Sequence, residues 1–331
     1  MKKTFVALAV LAALGSASAQ VSVYGKVDLG VSNTSTSGVD QGVEVTSNNY
    51  EGSRFGVRGS HDLTGGMKVD GHFQFRVDPT ATDNNKQETR FATLAVSGGF
   101  GSLTAGLQYT PYDAAWGFDQ MEYNGFSPAG AVWYTGKHGD NGTTGAGTAR
   151  KSISYSTPDM NGFNATVMYA NTGGKTAAAN PVPYLGLGAN YATGPLSINF
   201  AYEQVASTAH QTALANEKTT AMVVGASYNL GIATIGAGYE QANAEVNGAD
   251  WKDTGYTVSV SVPVNASTTV ALGYAAETTT SAGQSDSKAT GFGAQAVYNW
   301  TKQAAVYGGA YQTKLGATTT TKVAAGLRYN F

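Results

Sequence analysis

Six basic residues occur where their neighbours alternate in polarity, Lys26, Arg54, Arg58, Arg76, Arg150 and Arg328, and a seventh, Arg90, opens the fourth expected strand. Arg54 and Arg58 alternate with Phe55 and Val57, and Arg76 sits between Phe75 and Val77. Arg150 precedes Ser152 and Ser154, which flank Ile153. A guanidinium stays charged at any accessible pH. Several of them along a narrow wall of low dielectric would focus potential and concentrate anions. The long segment Pro111–Ala149 carries the acids Asp113, Asp119, Glu122 and Asp140 as a counter-charge. An alternative is that the arginines merely pair with wall carboxylates such as Asp28, Glu51 and Asp70. Covalent chemistry finds no support. The four histidines, His61, His72, His138 and His210, lack metal-type spacing, and there is no cysteine. No Gly-x-Ser-x-Gly elbow is present, and the glycine-rich piece 142–147 does not join a strand to a helix. No basic run points to nucleic acid. The expected chemistry is electrostatic, with no catalytic residue, metal or cofactor.

Strands must position these charges. Val323, Ala325, Leu327, Tyr329 and Phe331 fall on one face of a terminal strand, and Ala324, Gly326, Arg328 and Asn330 on the other, since side chains alternate with a period of two. The same pattern runs through Met67–Asp78, Leu196–Glu203 and Tyr256–Val262. One greasy face and one wet face fit a barrel wall in a membrane. Seven short, turn-rich connections alternate with eight long polar ones. The long set is Asn33–Asn49, Pro79–Gln87, Pro111–Ala149, Asn171–Pro183, Ala206–Lys218, Ala244–Asp250, Thr278–Ser287 and Thr313–Thr321. They separate sixteen strands; fourteen or eighteen stay open, because the stretches around Phe91 and Ala305 alternate poorly. Val21–Val27 is expected to pair with the terminal strand and close the sheet, removing edges that lipid cannot solvate.

The amino terminus reads as an export signal: Lys2 and Lys3, an apolar run from Phe5 to Leu14, then Ala17-Ser18-Ala19 as a cleavage pattern. Cleavage after Ala19 leaves residues 20–331 as a single barrel domain, and loss of the two lysines takes the formal charge from −2 to −4. Charged residues are only 13% of the chain, about half the usual share of a soluble domain. Without disulfides, an exported chain must draw stability from elsewhere, and closed ladders of strand hydrogen bonds would supply it. The charge-free stretch Ala221–Tyr239 reads as two strands about Asn229-Leu230-Gly231 rather than as a helix.

Six motifs in order carry a resemblance. They are Val-Tyr-Gly-Lys-Val-Asp at 23–28, Ser-Arg-Phe-Gly at 53–56, Gly-Ser-His-Asp-Leu-Thr-Gly-Gly-Met at 59–67, Gly-Gly-Phe-Gly-Ser-Leu-Thr-Ala-Gly at 98–106, Ser-Ile-Ser-Tyr-Ser-Thr-Pro at 152–158 and the terminal Gly-Leu-Arg-Tyr-Asn-Phe. Together they resemble the general porins of β-proteobacteria. The resemblance implies an all-β, sixteen-stranded antiparallel outer-membrane barrel with short periplasmic turns, long outer loops and a third loop folded inward. It implies a homotrimer in contact with membrane lipid and lipopolysaccharide, and passive diffusion of small hydrophilic solutes. It also implies that Arg54, Arg90 and Arg150 form a basic cluster at the constriction, although Phe91-Ala92-Thr93 departs from the family pattern. Phe331 resembles the signal read by the barrel-assembly machinery. The alternative for the third loop is a surface lid; for the whole chain, an adhesion barrel or a lipase-like barrel enzyme. The overall charge would favour cations, whereas the local arginines favour anions. With a Debye length of about 8 Å at physiological salt, nearby charge should dominate, so a weak anion preference is expected.

Overall fold

The computed structural model describes residues 20–81, 87–122, 124–133, 147–171, 183–206, 218–246 and 249–331. The expected signal segment lies outside the described residues, as do Tyr123, His138, Asp140 and His210. The wall begins with β1 (Gln20–Thr36), β2 (Val39–Ser47), β3 (Arg54–Asp62), β4 (Lys68–Val77), β5 (Gln87–Gly98) and β6 (Gly101–Tyr109). It continues through β7 (Thr148–Ser156), β8 (Phe163–Asn171), β9 (Pro183–Thr193), β10 (Leu196–Ala206), β11 (Lys218–Asn229) and β12 (Thr234–Val246). The last five strands are β13 (Ala249–Pro263), β14 (Thr268–Ser281), β15 (Ser287–Asn299), β16 (Ala304–Leu315) and β17 (Thr318–Asn330).

Apart from β2 and β3, consecutive strands pair antiparallel, and β1 pairs with β17 to close the sheet. Seventeen strands make sixteen wall positions, because β2 and β3 occupy one position in succession. The outer half of β1 pairs with β2 and its first residues, Gln20 to Lys26, pair with β3. Residues 48–53 between them leave the wall. Closure runs from Lys26↔Asn330 to Thr36↔Thr320. Val21–Val27 therefore does not supply the seam as a whole: only its last residues face β17, while the rest pairs with β3. The stagger follows from strand tilt, which a closed barrel requires. Beyond β17, Phe331 exchanges backbone hydrogen bonds with Gly25 at 2.9 and 3.0 Å. A Cβ on Gly25 would fall 2.4 Å from the Phe331 ring, so only glycine seats that ring.

The exposed apolar side chains, among them Val23, Phe73, Leu94, Val258, Leu272, Phe292, Leu327 and Tyr329, lie on the outer face. In water they would be a liability; against lipid they are the expected surface. Four expected loops are largely strand. Segments 33–49, 244–250, 278–287 and 313–321 continue as paired hairpins, the first turning tightly at Ser37-Gly38 and the last at Gly316. Strands that rise beyond the apolar band face water on both sides, so their polar composition imitates a loop.

Both poorly alternating stretches also have a physical cause. Across β4–β5, Gln74 faces Phe91 while Phe75 faces Thr89, leaving Arg90 as an extra residue in β5. This bulge changes the face on which later residues fall. In β16, Ala305 and Tyr307 are buried on the inner face. Loop residues pack against them there, so both faces are apolar and the period-two signal disappears.

That loop is the third long one, and it folds into the barrel. It starts with the short helix α1 (Pro111–Ala114), capped by Thr110, whose Oγ1 accepts from Asp113 N at 3.1 Å. A second, α2 (Pro128–Val132), is capped by Ser127. The principal apolar core lies between this loop and the inner wall, where Phe118, Met121, Phe126 and Trp133 are fully buried.

Candidate functional site

The residues between β2 and β3 build one side of the site. Asn48 adopts φ +60° and its Oδ1 accepts from Ser53 N at 2.5 Å, turning the chain inward. Asp28, wholly buried, anchors the excursion: its Oδ2 accepts from Glu51 N at 2.8 Å and Tyr50 N at 3.2 Å, and its Oδ1 accepts from the Tyr307 hydroxyl at 2.5 Å. The Tyr50 ring stacks on Tyr307 at 5.3 Å. Its hydroxyl donates to Glu122 Oε2 at 3.1 Å, and its carbonyl accepts from Gly125 N. The excursion therefore bridges wall and loop.

Glu51 is held by three cations. Lys26 Nζ and Arg328 Nη1 each lie 2.7 Å from one of its oxygens, and Arg54 Nη2 lies 3.5 Å away. The guanidinium of Arg328 also covers the Tyr50 ring at 5.2 Å. In front of this group lies a cavity of about 740 Å³, lined on the wall side by Glu51, Arg54, Arg76, Arg90 and Tyr109. Arg90 reaches it through its bulge and donates to the Tyr109 hydroxyl. Arg76 lies 3.7 Å from Glu88.

The loop lines the other side through Asp113, Asp119 and Glu122. Asp119 serves largely to hold the loop's own shape, since its carboxylate accepts from Ser127 Oγ at 2.5 Å and Met121 N at 3.0 Å. Glu122 adopts φ +58° and faces Tyr50. Burial pushes the Asp113 carboxyl up to about 7; Arg90 pulls it down and Glu203 adds to the rise. Above that pH the loop carries this negative charge, and below it the charge is lost. Anion preference should therefore increase as pH falls from about 8 to about 6. Asp113→Asn should hold the low-pH value throughout, measured as reversal potential under a fixed salt gradient; an unaltered pH profile in that variant would rule the assignment out.

Of the residues expected from sequence, Arg54, Arg76, Arg90, Asp113, Asp119 and Glu122 line this one space, and Lys26 and Arg328 stand behind it on Glu51. Arg58 lies nearer the short-turn end, its guanidinium 4.3 Å from the Tyr24 ring centroid, in a second cavity of about 530 Å³. Arg150 does not join Arg54 and Arg90. It sits exposed on an irregularity where Gly106 faces Ser152 but Gln108 faces Ala149, next to Lys151 at φ +50°. The extra residue there breaks the alternation, so Ser152 and Ser154 do not fix the face on which Arg150 falls. The wall excursion itself was missed. The turn-forming run Ser47-Asn48-Asn49 with Gly52 marks it, but reading 33–49 as a single loop concealed the break.

The loop rests on a shelf of glycines. A Cβ on Gly225 would lie 2.0 Å from the Phe118 ring, and on Gly236 1.8 Å from the Phe118 carbonyl oxygen. Gly255 leaves room for Trp133, Gly273 for Met121, and Gly309 for Phe126.

A family model described as Gram-negative porin matches residues 7–318. Outer membrane porin protein 32 of Delftia acidovorans is 33% identical over 322 residues, covering 93% of this chain and 88% of that protein. An anion-selective porin from Comamonas acidovorans superposes with a TM-score of 0.83 at 26% identity, covering 95% of this chain and 100% of that one. The in-vitro folded trimer form of OmpT from Vibrio cholerae shares the fold at a TM-score of 0.75 and 16% identity, covering 95% of this chain and 100% of that one.

Proposed function

The chain belongs to the Gram-negative porins, and on that premise we propose that its outer-membrane channel passes ions and small hydrophilic solutes with a weak preference for anions. The observation that carries the sign is the arrangement of charge around the 740 Å³ cavity. A count does not decide it, because three arginines and four acids line the space. Position does. Glu51 is already matched by Lys26, Arg328 and Arg54. Asp119 is turned into the loop by Ser127 and Met121, and Asp113 is partly protonated near neutrality. Arg90 has no carboxylate within salt-bridge distance among the described residues and points its charge at the lumen. Preorganised charge in a confined space acts on passing ions far more strongly than the same charge on distant outer loops.

We further propose that the working unit is a homotrimer of residues 20–331, formed after removal of Met1–Ala19. Membrane lipid and lipopolysaccharide would surround it, and the assembly machinery would recognise the strand ending in Phe331. The relatives named are porins, and no catalytic step is assigned.

Single-channel recording of the purified protein in a planar bilayer under a KCl gradient tests the reading. The reversal potential should have anion sign. Arg54→Ser should move it towards cations, more at low salt than at 1 M, where the Debye length is about 3 Å. Arg150→Ser should move it much less. Equal effects of the two substitutions, or a wild-type potential of cation sign, would contradict the proposed basic wall.

A further inference from the structure

Four aromatic rings run along the lumen wall where a water-filled channel has no need of them. Tyr24 on β1 and His72 on β4 lie 5.8 Å apart between ring centroids, His72 and Phe91 on β5 5.3 Å, and Phe91 and Tyr109 on β6 4.6 Å. Gly56 of the intervening strand β3 lets the first pair meet, since a Cβ there would fall 2.6 Å from the Tyr24 ring. Phe91 owes its inward direction to the Arg90 bulge, which makes it face the lumen residue Gln74. Gln74 in turn donates to the Tyr24 hydroxyl at 2.7 Å. All four rings are only half-buried. A guanidinium stands at each end: Arg58 over Tyr24 at 4.3 Å and Arg90 over Tyr109 at 5.6 Å. His72 lines the lower cavity and Tyr109 the upper one, so the rings connect the two.

We propose that this ladder is a binding track for planar aromatic anions, aryl carboxylates in particular. The proposal rests on the channel reading and narrows its solute class. A carboxylate engages a guanidinium at either end while its ring lies along the aromatic edges and faces between them. Ring pairs of this kind favour offset and edge-on contacts that a saturated ring of equal size cannot make. Chloride and small aliphatic anions use only the arginines.

The test compares benzoate with cyclohexanecarboxylate, which share charge and size, as blockers of chloride current through the reconstituted full-length channel. Half-block by benzoate should require an about two- to tenfold lower concentration, the range that one aromatic contact supports. In Phe91→Leu the two concentrations should converge, and in Phe91→Tyr the preference should return. If Phe91→Leu does not insert, Tyr109→Leu removes the adjoining ring for the same measurement. Equal block in the wild-type channel, or a benzoate preference that survives loss of either ring, overturns the ladder. An anion-selective channel without benzoate preference would refute only this inference, whereas absence of anion selectivity would refute the function beneath it.

Discussion

Glu51→Gln should make the channel markedly more anion-selective while leaving its barrel closed. Three cations against one carboxylate leave a local charge of +2, which this substitution raises to +3. One added unit charge acts on an anion 4 Å away with about 1 kcal/mol even in a water-like dielectric, or about a fivefold change in local anion concentration. The effect should be largest at low salt and shrink towards 1 M as screening tightens. The cost in stability is local. At 16–22% side-chain exposure the groups are largely buried, and losing the shared carboxylate leaves three cations without it, which costs up to about 3–5 kcal/mol. The Asp28 contacts that hold residues 50 and 51 use backbone N–H groups and survive the change. Reversal potentials at 0.1 and 1 M KCl measure the outcome. A potential that does not move at low salt would mean that Glu51 leaves the lumen charge unaltered.

Gly236→Ala should widen the channel, although it adds one methyl group. That methyl would stand 1.8 Å from the Phe118 carbonyl oxygen, a backbone atom that can yield only if the loop lifts. Gly225→Val should act the same way through the Phe118 ring. Overpacking of this kind costs about 1–3 kcal/mol. Phe118→Ala, which empties a wholly buried position, should cost loop docking about 3–5 kcal/mol. The wall ladders do not depend on the loop, so the barrel should still insert. Single-channel conductance should rise and anion preference fall together, because the wider passage sets ions farther from Arg54, Arg76 and Arg90, an effect that departure of the loop acids offsets only in part. Gly71→Ala is the control, since nothing lies within 4 Å of its added Cβ. Wild-type conductance in both Gly236→Ala and Phe118→Ala would show that the loop does not limit the pore.

The architecture was readable because lipid imposes it residue by residue. Where an outer face meets lipid and an inner face meets water, as at Met67–Asp78, alternation survives and gives the strand, its faces and the inward direction of Arg76. Legibility failed wherever one of those two conditions failed. Segments 33–49 and 313–321 project beyond the apolar band, so their strands look like loops. The inner face of β16 meets the loop instead of water, so Ala305 and Tyr307 look like lipid-facing residues. At Arg90 and Arg150 one irregularity turned an arginine into the cavity and the other left an arginine outside it. A bulge is a matter of pairing between strands and leaves no periodic trace.

What the chain determined by itself is therefore the wall: the lipid face and the wet face, sixteen crossings with fourteen or eighteen left open, and the closing strand ending in Phe331. These follow from local alternation and turn chemistry, which act over neighbouring residues. The tertiary structure decided the charge of the passage. It brought Lys26, Glu51, Arg54 and Arg328 together from the two ends of the chain. It set Phe118 into a space bounded by Gly225, Gly236 and Gly238, and it chose which arginines face the cavity. Ion pairing and close packing depend on distances of a few ångströms between strands remote in sequence, and only closure of the barrel sets those distances.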